Sequence, residues 1–175
     1  MVLMLVVSIG LAGCAGNPSV SSTEATMPIA TQTQEEPMTT ELTWQEAKAH
    51  TQAIQLEIAA LIPKDVVVSI DQKKTGVLLS CNKTQHNWNA STTVTVHEGT
   101  KIEPIVKSFE ARYRTIGTKV SIDTDVNGRY RVQIDPPAPG ESYIVSEGFS
   151  PNEIRIASGS PCFTLPEDTY PGGDF

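Results

Sequence analysis

Two segments with helical periodicity, each followed by segments with strand-like alternation, constrain the fold of this chain more than any other feature. The first helical segment begins at Thr43, which with Glu46 has the spacing of a capping box, and it ends before Pro63. Its apolar stripe favours a helix laid on a sheet over a helix with a coiled-coil partner. The stripe consists of Trp44, Ala47, Thr51, Ile54, Ile58 and Leu61.

The second helical segment starts near residue 100. Thr100 and Glu103 have the spacing of a second capping box, and Pro104 is tolerated because it falls in the first turn. Gly117 suits the C-cap of this helix. The buried stripe is formed by Ile102, Ile105, Val106, Phe109 and Tyr113.

Seven segments have the composition and alternation of strands. They cover residues 66–70, 77–81, 88–97, 118–125, 129–135, 142–146 and 153–158. Clean alternation indicates a sheet with one buried and one wet face, and both helices need an apolar surface to cover. The order of elements therefore predicts an α+β fold, a two-layer sandwich of two helices on a mainly antiparallel sheet.

Side-chain parity fixes the register of one predicted hairpin. A two-residue loop, Asn127-Gly128, would turn the apolar residues of its two strands to opposite faces. A three-residue loop over 126–128 instead pairs Ile122 with Val132 and brings all of them to one face. We therefore predict a type I turn with Gly128 in the left-handed conformation, forming a G1 bulge.

The first residues form a different kind of segment. Residues 2–11 are apolar over the length of a signal-peptide core, and this length is too short to span a bilayer of about 30 Å as a helix. They lead into Leu11-Ala12-Gly13-Cys14, which closely resembles the lipobox of bacterial lipoproteins. The resemblance implies a diacylglyceryl group on the Cys14 sulfur and cleavage before Cys14. Residues 1–13 carry no charged side chain, so either translation starts further upstream or the n-region is unusual.

Composition then divides the chain. Residues 15–41 are rich in Ser, Thr, Ala, Pro and Gln and lack aromatic residues, as in a flexible tether. We expect a signal peptide (1–13), lipidated Cys14 with its tether (14–41), an α+β domain (42–166) and a C-terminal tail (167–175), for which fraying is the commoner outcome and an interaction segment is the alternative. The formal net charge of −7 makes nucleic acid and anionic lipid surfaces poor partners. The lipid would place the domain on the extracytoplasmic face of the cell membrane.

Two cysteines, Cys81 and Cys162, remain once Cys14 carries lipid. In an oxidising compartment an even pair most simply forms a disulfide. Two buried free thiols are the alternative, because pairing cannot be read from a sequence alone.

Three segments resemble small mycobacterial lipoproteins of the LppA-like kind. Residues 77–81 are similar to the first cysteine segment of that family, residues 123–128 to its polar hairpin and residues 160–166 to its second cysteine segment. The resemblance implies the compartment and the topology, and it transfers no active site. It favours the pairing of Cys81 with Cys162, since both lie inside the shared segments.

Motifs that carry catalysis are absent from the sequence. No segment matches a nucleophile elbow, a zinc-protease helix, a dinucleotide-binding loop, a P-loop or a CxxC pair. The spacing of His50, His86 and His97 does not indicate a metal site, and no cofactor is expected. For each histidine, a solvated or hydrogen-bonded side chain is the favoured interpretation.

The segment 82–88 is the most suggestive surface in the sequence. A polar loop holding His86 and an exposed Trp88 would suit sugar or peptide recognition by stacking. Trp88, however, shares parity with Val94 and Val96, so we favour a core position for its ring.

Three functions stay open at this point. The leading hypothesis is a non-catalytic, lipid-anchored module that binds an envelope protein or glycan. The alternative is a small envelope hydrolase whose site is assembled only by the fold. The third is the carriage of an apolar ligand between sheet and helices, which requires an unfilled cavity.

Overall fold

The computed structural model describes residues 41–175; the predicted signal peptide, Cys14 and nearly all of the predicted tether lie outside the described residues. Helix α1 spans Trp44–Ala59, helix α2 spans Ile102–Thr115, and a 3-10 turn covers Lys64–Val66. The strands are β1 (Val67–Gln72), β2 (Val77–Ser80), β3 (Gln85–Val96), β4 (Lys119–Thr124), β5 (Tyr130–Asp135), β6 (Ser142–Glu147), β7 (Glu153–Gly159) and β8 (Phe163–Thr164). The predicted α+β class is confirmed.

All eight strands join one antiparallel sheet with the order β1-β3-β7-β6-β5-β4. Strands β1 and β2 lie end to end along one edge of the long strand β3, and β8 pairs with the start of β3 on the opposite edge. The short β8 was not predicted from the sequence, because two residues are too few to show alternation.

The two faces of the sheet differ sharply in burial. On the covered face, strands β3, β5, β6 and β7 present apolar side chains that are at most 2% exposed: Val94, Val96, Val132, Ile134, Tyr143, Val145, Ile154 and Ile156. Helix residues Ile58, Val106 and Phe109 complete this core. Because directly paired residues share a face, the intervening residues of each strand lie on the uncovered side. We call this second side the open face.

The predicted hairpin register is confirmed. Ile122 pairs with Val132, and Gly128 has a φ of +78°. The amide of Gly128 donates to the carbonyl of Asp125 at 2.9 Å, and the amide of Asp125 donates to the carbonyl of Arg129 at 2.9 Å. A left-handed backbone is readily adopted by glycine, so Gly128 allows the three-residue turn that keeps the apolar residues on one face.

The two predicted capping boxes have different outcomes. Thr43 and Glu46 form the expected reciprocal pair at the start of α1. The prediction for Thr100 is wrong: α2 has Lys101 as its N-cap without a side-chain hydrogen bond, and the Thr100 hydroxyl donates to the carbonyl of His97 at 2.6 Å instead. The C-cap of α2 is Ile116, one residue before the predicted Gly117, and Gly117 has the left-handed φ of +78° common for a glycine just after a C-cap.

A second, smaller core lies at the β2 end of the sheet. Ala47, Trp88 and Phe163 are buried there, and Trp44 and Phe175 pack against them. The Trp44 and Phe175 rings meet edge to face with centroids 5.4 Å apart. The amide of Phe175 also donates to the carbonyl of Gly76 at 3.0 Å. The end of the C-terminal tail is therefore held against the domain, contrary to the expectation that it frays.

A disulfide joins Cys81 to Cys162, as the resemblance implied. Gly140, with a φ of +80°, lies against it: a Cβ atom at this position would clash with the Cys162 sulfur. Only glycine satisfies both the backbone conformation and the contact. The bridge thus fixes the start of β6 beside the ends of β2 and β7.

Between the two cores lies a polar cluster that ties α1 to the sheet. Gln55 is fully buried, donates to the Ser158 hydroxyl at 2.7 Å and accepts from the Thr92 hydroxyl at 3.0 Å. Its hydrogen bonds set the position of α1 along the sheet, because a buried amide without partners would be costly. No helix within residues 41–175 has the length and apolar character needed to span a membrane.

Candidate functional site

The two residues singled out by the sequence, Trp88 and His86, lie in strand β3 and not in a loop. Trp88 is fully buried, and its indole N–H donates to the carbonyl of Phe175 at 3.1 Å. Its ring therefore offers no free face for stacking a ligand, as its parity with Val94 indicated. His86 pairs with Ser80 of β2 on one side and with Phe163 of β8 on the other, and its Nδ1 is buried without a hydrogen-bond partner.

The other two histidines lie in separate segments of the chain. His50, on α1, has its Nε2 2.8 Å from Oε1 of Glu141. His97 is exposed just beyond the end of β3. The described residues hold no group of three His, Cys, Asp or Glu side chains arranged to bind a metal ion.

The open face carries mainly polar side chains of moderate size. They include Asn87, Asn89, Ser91, Thr93 and Thr95 on β3, Glu153 and Arg155 on β7, Ser146 on β6, Arg131 and Gln133 on β5, and Ser121 and Asp123 on β4. Neither helix packs on this side, so these amides, hydroxyls and guanidiniums face solvent. Such a surface can form many hydrogen bonds with a polar partner.

A depression of about 310 Å³ lies on the open face where β5, β6 and β7 meet their loops. Arg155 lies in it and pairs across the sheet with Thr93 on one side and Ser146 on the other. Ser146 pairs in turn with Arg131. A row of alternating hydroxyl and guanidinium groups therefore crosses the strands. We call this site the Arg155 depression.

The three arginines of the depression differ in how their charge is balanced. Arg131 binds Asp123 through both Nε and Nη2, and Arg129 binds Asp125 at 2.7 Å. These hydrogen bonds lower the pKa of both carboxyl groups, which stay ionised and neutralise their arginines. Arg155 has no carboxylate within ion-pair distance among residues 41–175.

Burial lowers the pKa of the Arg155 guanidinium, and no ion pair with a carboxylate opposes this effect. A guanidinium stays protonated near neutral pH even so. The fold therefore holds a partly desolvated positive charge that forms no ion pair within residues 41–175. This arrangement costs free energy that an anionic group placed in the depression would offset.

Phe149 forms the rim of the same depression. Its ring is 82% exposed, and the Arg155 guanidinium lies 5.0 Å from the ring centroid. It lies in the loop between β6 and β7, where Asn152 adopts a left-handed φ of 62°. An aromatic ring held over a guanidinium, with its outer face free, can stack on a planar or sugar ligand.

A second cleft, of about 270 Å³, opens on the helix side of the sheet. It lies between α1, the end of α2 and the loop that joins β5 to β6. His50 and Glu141 line it together with Tyr143, whose hydroxyl donates to Oε1 of Glu141 at 2.7 Å. This Glu141 cleft brings together a histidine and an acid that lie 91 positions apart in the sequence.

The Glu141 cleft bears directly on the hydrolase alternative, because nucleophilic catalysis needs a hydroxyl or thiol beside the histidine. Thr51 is the hydroxyl residue on the same helix, and it is buried with its hydroxyl donating to the carbonyl of Ala47 at 2.8 Å. Among residues 41–175, no Ser or Thr hydroxyl forms a hydrogen bond to His50. Within this part of the chain, the cleft therefore holds a His–Glu pair and no hydroxyl that is hydrogen-bonded to the histidine.

No protein-family model, no curated protein and no solved structure matches the chain.

Sequence reasoning missed both Arg155 and Glu141 as site residues. For Arg155 a signal existed: Ile154 and Ile156 point into the core, so the residue between them must lie on the wet face. Its lack of a partner depends on neighbouring strands and could not be read from the pattern. Glu141 follows a Pro-rich loop, and nothing in the sequence places it under α1.

Proposed function

We propose that this chain is a lipid-anchored, non-catalytic binding protein of the cell envelope. Lipid on Cys14 would hold it at the extracytoplasmic face of the membrane, and the tether would carry the α+β domain away from the surface. The Cys81–Cys162 disulfide supports an oxidising compartment, since such bonds persist outside the cytoplasm. The open face of the sheet, with the Arg155 depression, is the binding surface.

The uncompensated charge of Arg155 is the observation that carries this proposal. In a chain with 20 acidic and 13 basic residues, a partly buried arginine without an acidic partner is unexpected unless it serves a ligand. Arg129 and Arg131, on strand β5 beyond β6 and on the loop before it, both have acidic partners. The contrast selects Arg155 as the group left free to meet an anion.

The ligand class follows from the neighbours of Arg155. A single free guanidinium suits a single carboxylate, whereas a polyanion would be repelled by the net charge of −7. The hydroxyls of Thr93 and Ser146 and the exposed ring of Phe149 suit a sugar, which offers hydroxyl groups and an apolar ring face. We therefore propose an envelope glycan that carries isolated carboxylates on an otherwise neutral backbone.

Titration of the full chain with an oligosaccharide of glucose and glucuronic acid tests the proposal. We expect Arg155→Gln to weaken binding about tenfold or more, because a hydrogen bond to a charged group contributes about 1.5–3 kcal/mol. Phe149→Ala should weaken it several-fold, since aromatic contacts contribute about 0.5–1.5 kcal/mol. Isothermal titration calorimetry gives both dissociation constants.

Two controls make this titration specific. Ile116→Ala also removes an exposed apolar side chain, but Ile116 lies beyond the end of α2, away from the depression, and its loss should leave the affinity unchanged. The second control is the same oligosaccharide with its carboxylates reduced to alcohols. Equal affinity for the acidic and the reduced sugar, or full affinity in Arg155→Gln, would contradict the proposed role of the guanidinium.

A further inference from the structure

Glu141 is a buried carboxylate, and only one of its two oxygens accepts hydrogen bonds from the described residues. Its side chain is 6% exposed, and Oε1 accepts hydrogen bonds from both His50 Nε2 and the Tyr143 hydroxyl. Oε2 accepts no hydrogen bond from any residue between 41 and 175. It is not sealed inside the protein either, because the only buried side-chain N or O atom without a partner in this part of the chain is Nδ1 of His86. The free oxygen therefore keeps some access to solvent, and Glu141 lines the Glu141 cleft.

The hydroxyl of Tyr143 is a permanent hydrogen-bond donor to Glu141. Burial, followed by the hydrogen bond to Glu141, raises the pKa of the Tyr143 hydroxyl far above its usual range. The hydroxyl therefore stays protonated at all physiological pH values and keeps donating to Oε1. The hydrogen bond from Tyr143 orients the Glu141 carboxylate and leaves Oε2 as the acceptor for a ligand.

Apart from His50, Thr118 and the acidic residues, the walls of the Glu141 cleft are mainly apolar. The apolar part is formed by Ile54, Ile58, Ile134, Tyr113, Pro136 and Pro137. Glu57, on the outer side of α1, adds a second negative charge at the rim. Its size, about 270 Å³, suits a molecule of about ten heavy atoms, below the range of about 300–1,000 Å³ that drug-sized ligands occupy.

We propose that the Glu141 cleft binds a small organic ammonium ion that carries an apolar group. The ammonium would donate to Oε2 of Glu141, and the apolar group would rest against the isoleucines and prolines. A cation is favoured over a neutral donor because a carboxylate with so little access to water gains most from an opposite charge. Tyr113 adds an aromatic face, which attracts ammonium groups.

Titration of the full chain, in mild detergent, with 2-phenylethylammonium tests this site by NMR. The expected result is saturable shifts of amide resonances around Ile54, Tyr113 and Glu141. Glu141→Gln keeps the shape of the side chain and removes its charge, and it should weaken binding at least about tenfold, because charge-assisted hydrogen bonds are about twice as strong as neutral ones. The neutral analogue 2-phenylethanol should bind wild type and Glu141→Gln equally weakly.

Further variants keep the test decisive if Glu141→Gln does not fold. Ile54→Trp fills the cleft without touching Glu141 and should abolish amine binding. Phe149 lies on the opposite side of the sheet, so Phe149→Ala should leave amine binding unchanged. This result would separate the Glu141 cleft from the proposed glycan surface. Absence of saturable shifts in wild type, equal affinity for amine and alcohol, or amine binding retained in Ile54→Trp would overturn the proposal.

Discussion

Replacing Cys14 with alanine is expected to abolish both the lipid and the cleavage of the first 13 residues. The lipobox resemblance assigns the diacylglyceryl group to the sulfur of Cys14, and cleavage in that family follows lipidation. Burial of acyl chains contributes about 0.8 kcal/mol per methylene, and two chains anchor a protein stably where one does not. Loss of the Cys14 sulfur should therefore remove both acyl chains at once and with them the stable membrane anchor.

Mass spectrometry of the N-terminal peptide checks this result. Wild type, produced in a bacterium with lipoprotein processing, should yield a peptide that begins at Cys14 and carries the mass of the lipid. Cys14→Ala should yield an uncleaved N-terminus without it. The double variant Cys81→Ala/Cys162→Ala is the matched control, since it also removes cysteine sulfurs and should keep its lipid. A wild-type peptide without lipid would show that the lipobox resemblance is misleading.

The same double variant, Cys81→Ala/Cys162→Ala, should cause the largest loss of stability among the substitutions considered. The disulfide closes a loop with a sequence separation of 81 residues. Cross-linking a loop of this length restricts the unfolded chain by about 4–5 kcal/mol by the chain-entropy argument, and native disulfides typically contribute about 2–5 kcal/mol. We therefore expect the free energy of unfolding to fall by about 2–5 kcal/mol.

Urea denaturation followed by tryptophan fluorescence measures this loss, because Trp88 is buried and Trp44 packs on the same cluster near the bridge. A reductant should lower the urea midpoint of wild type towards that of the double variant. The midpoint of the double variant should not change when the reductant is added. Coincident midpoints for oxidised wild type and the double variant would mean that the bridge adds nothing to the fold.

Much of the fold follows from local patterns that act within one or two neighbouring elements. The parity of Ile122 and Val132 determined the turn at Gly128, and the spacing of Thr43 and Glu46 determined the start of α1. Thr100 has the same spacing from Glu103, but its hydroxyl finds the carbonyl of His97 and the helix starts one residue later than a cap at Thr100 requires. A capping motif thus depends on which acceptor the preceding turn offers.

Features that depend on distant segments could not be predicted. Phe175 packs on Trp44 and bonds to Gly76, although nothing in the tail sequence marks this contact. Burial of Trp88 was indicated by its parity, but its indole partner, the carbonyl of Phe175, was not. The tail is ordered because it covers the second core.

The candidate sites depend even more on contacts between distant segments, which the sequence does not show. The open face was implied by alternation, and so was the outward direction of Arg155. Among the three arginines of the depression, Arg155 lacks an acidic partner while Arg131 has Asp123, and this difference depends on the order of strands β4, β5, β6 and β7. The contact between His50 and Glu141 joins α1 to a loop before β6, and the composition of the chain does not predict it.

The position of the glycan on the domain tests the central claim most directly. Addition of the glucuronic acid oligosaccharide to isotope-labelled protein should shift the Arg155 side-chain resonance and the amides of Thr93, Ser146 and Phe149. The amides of α1 and α2 on the other side of the sheet should stay unchanged. Shifts confined to the helices or the Glu141 cleft, with Arg155 unaffected, would contradict the assignment of the open face as the binding surface.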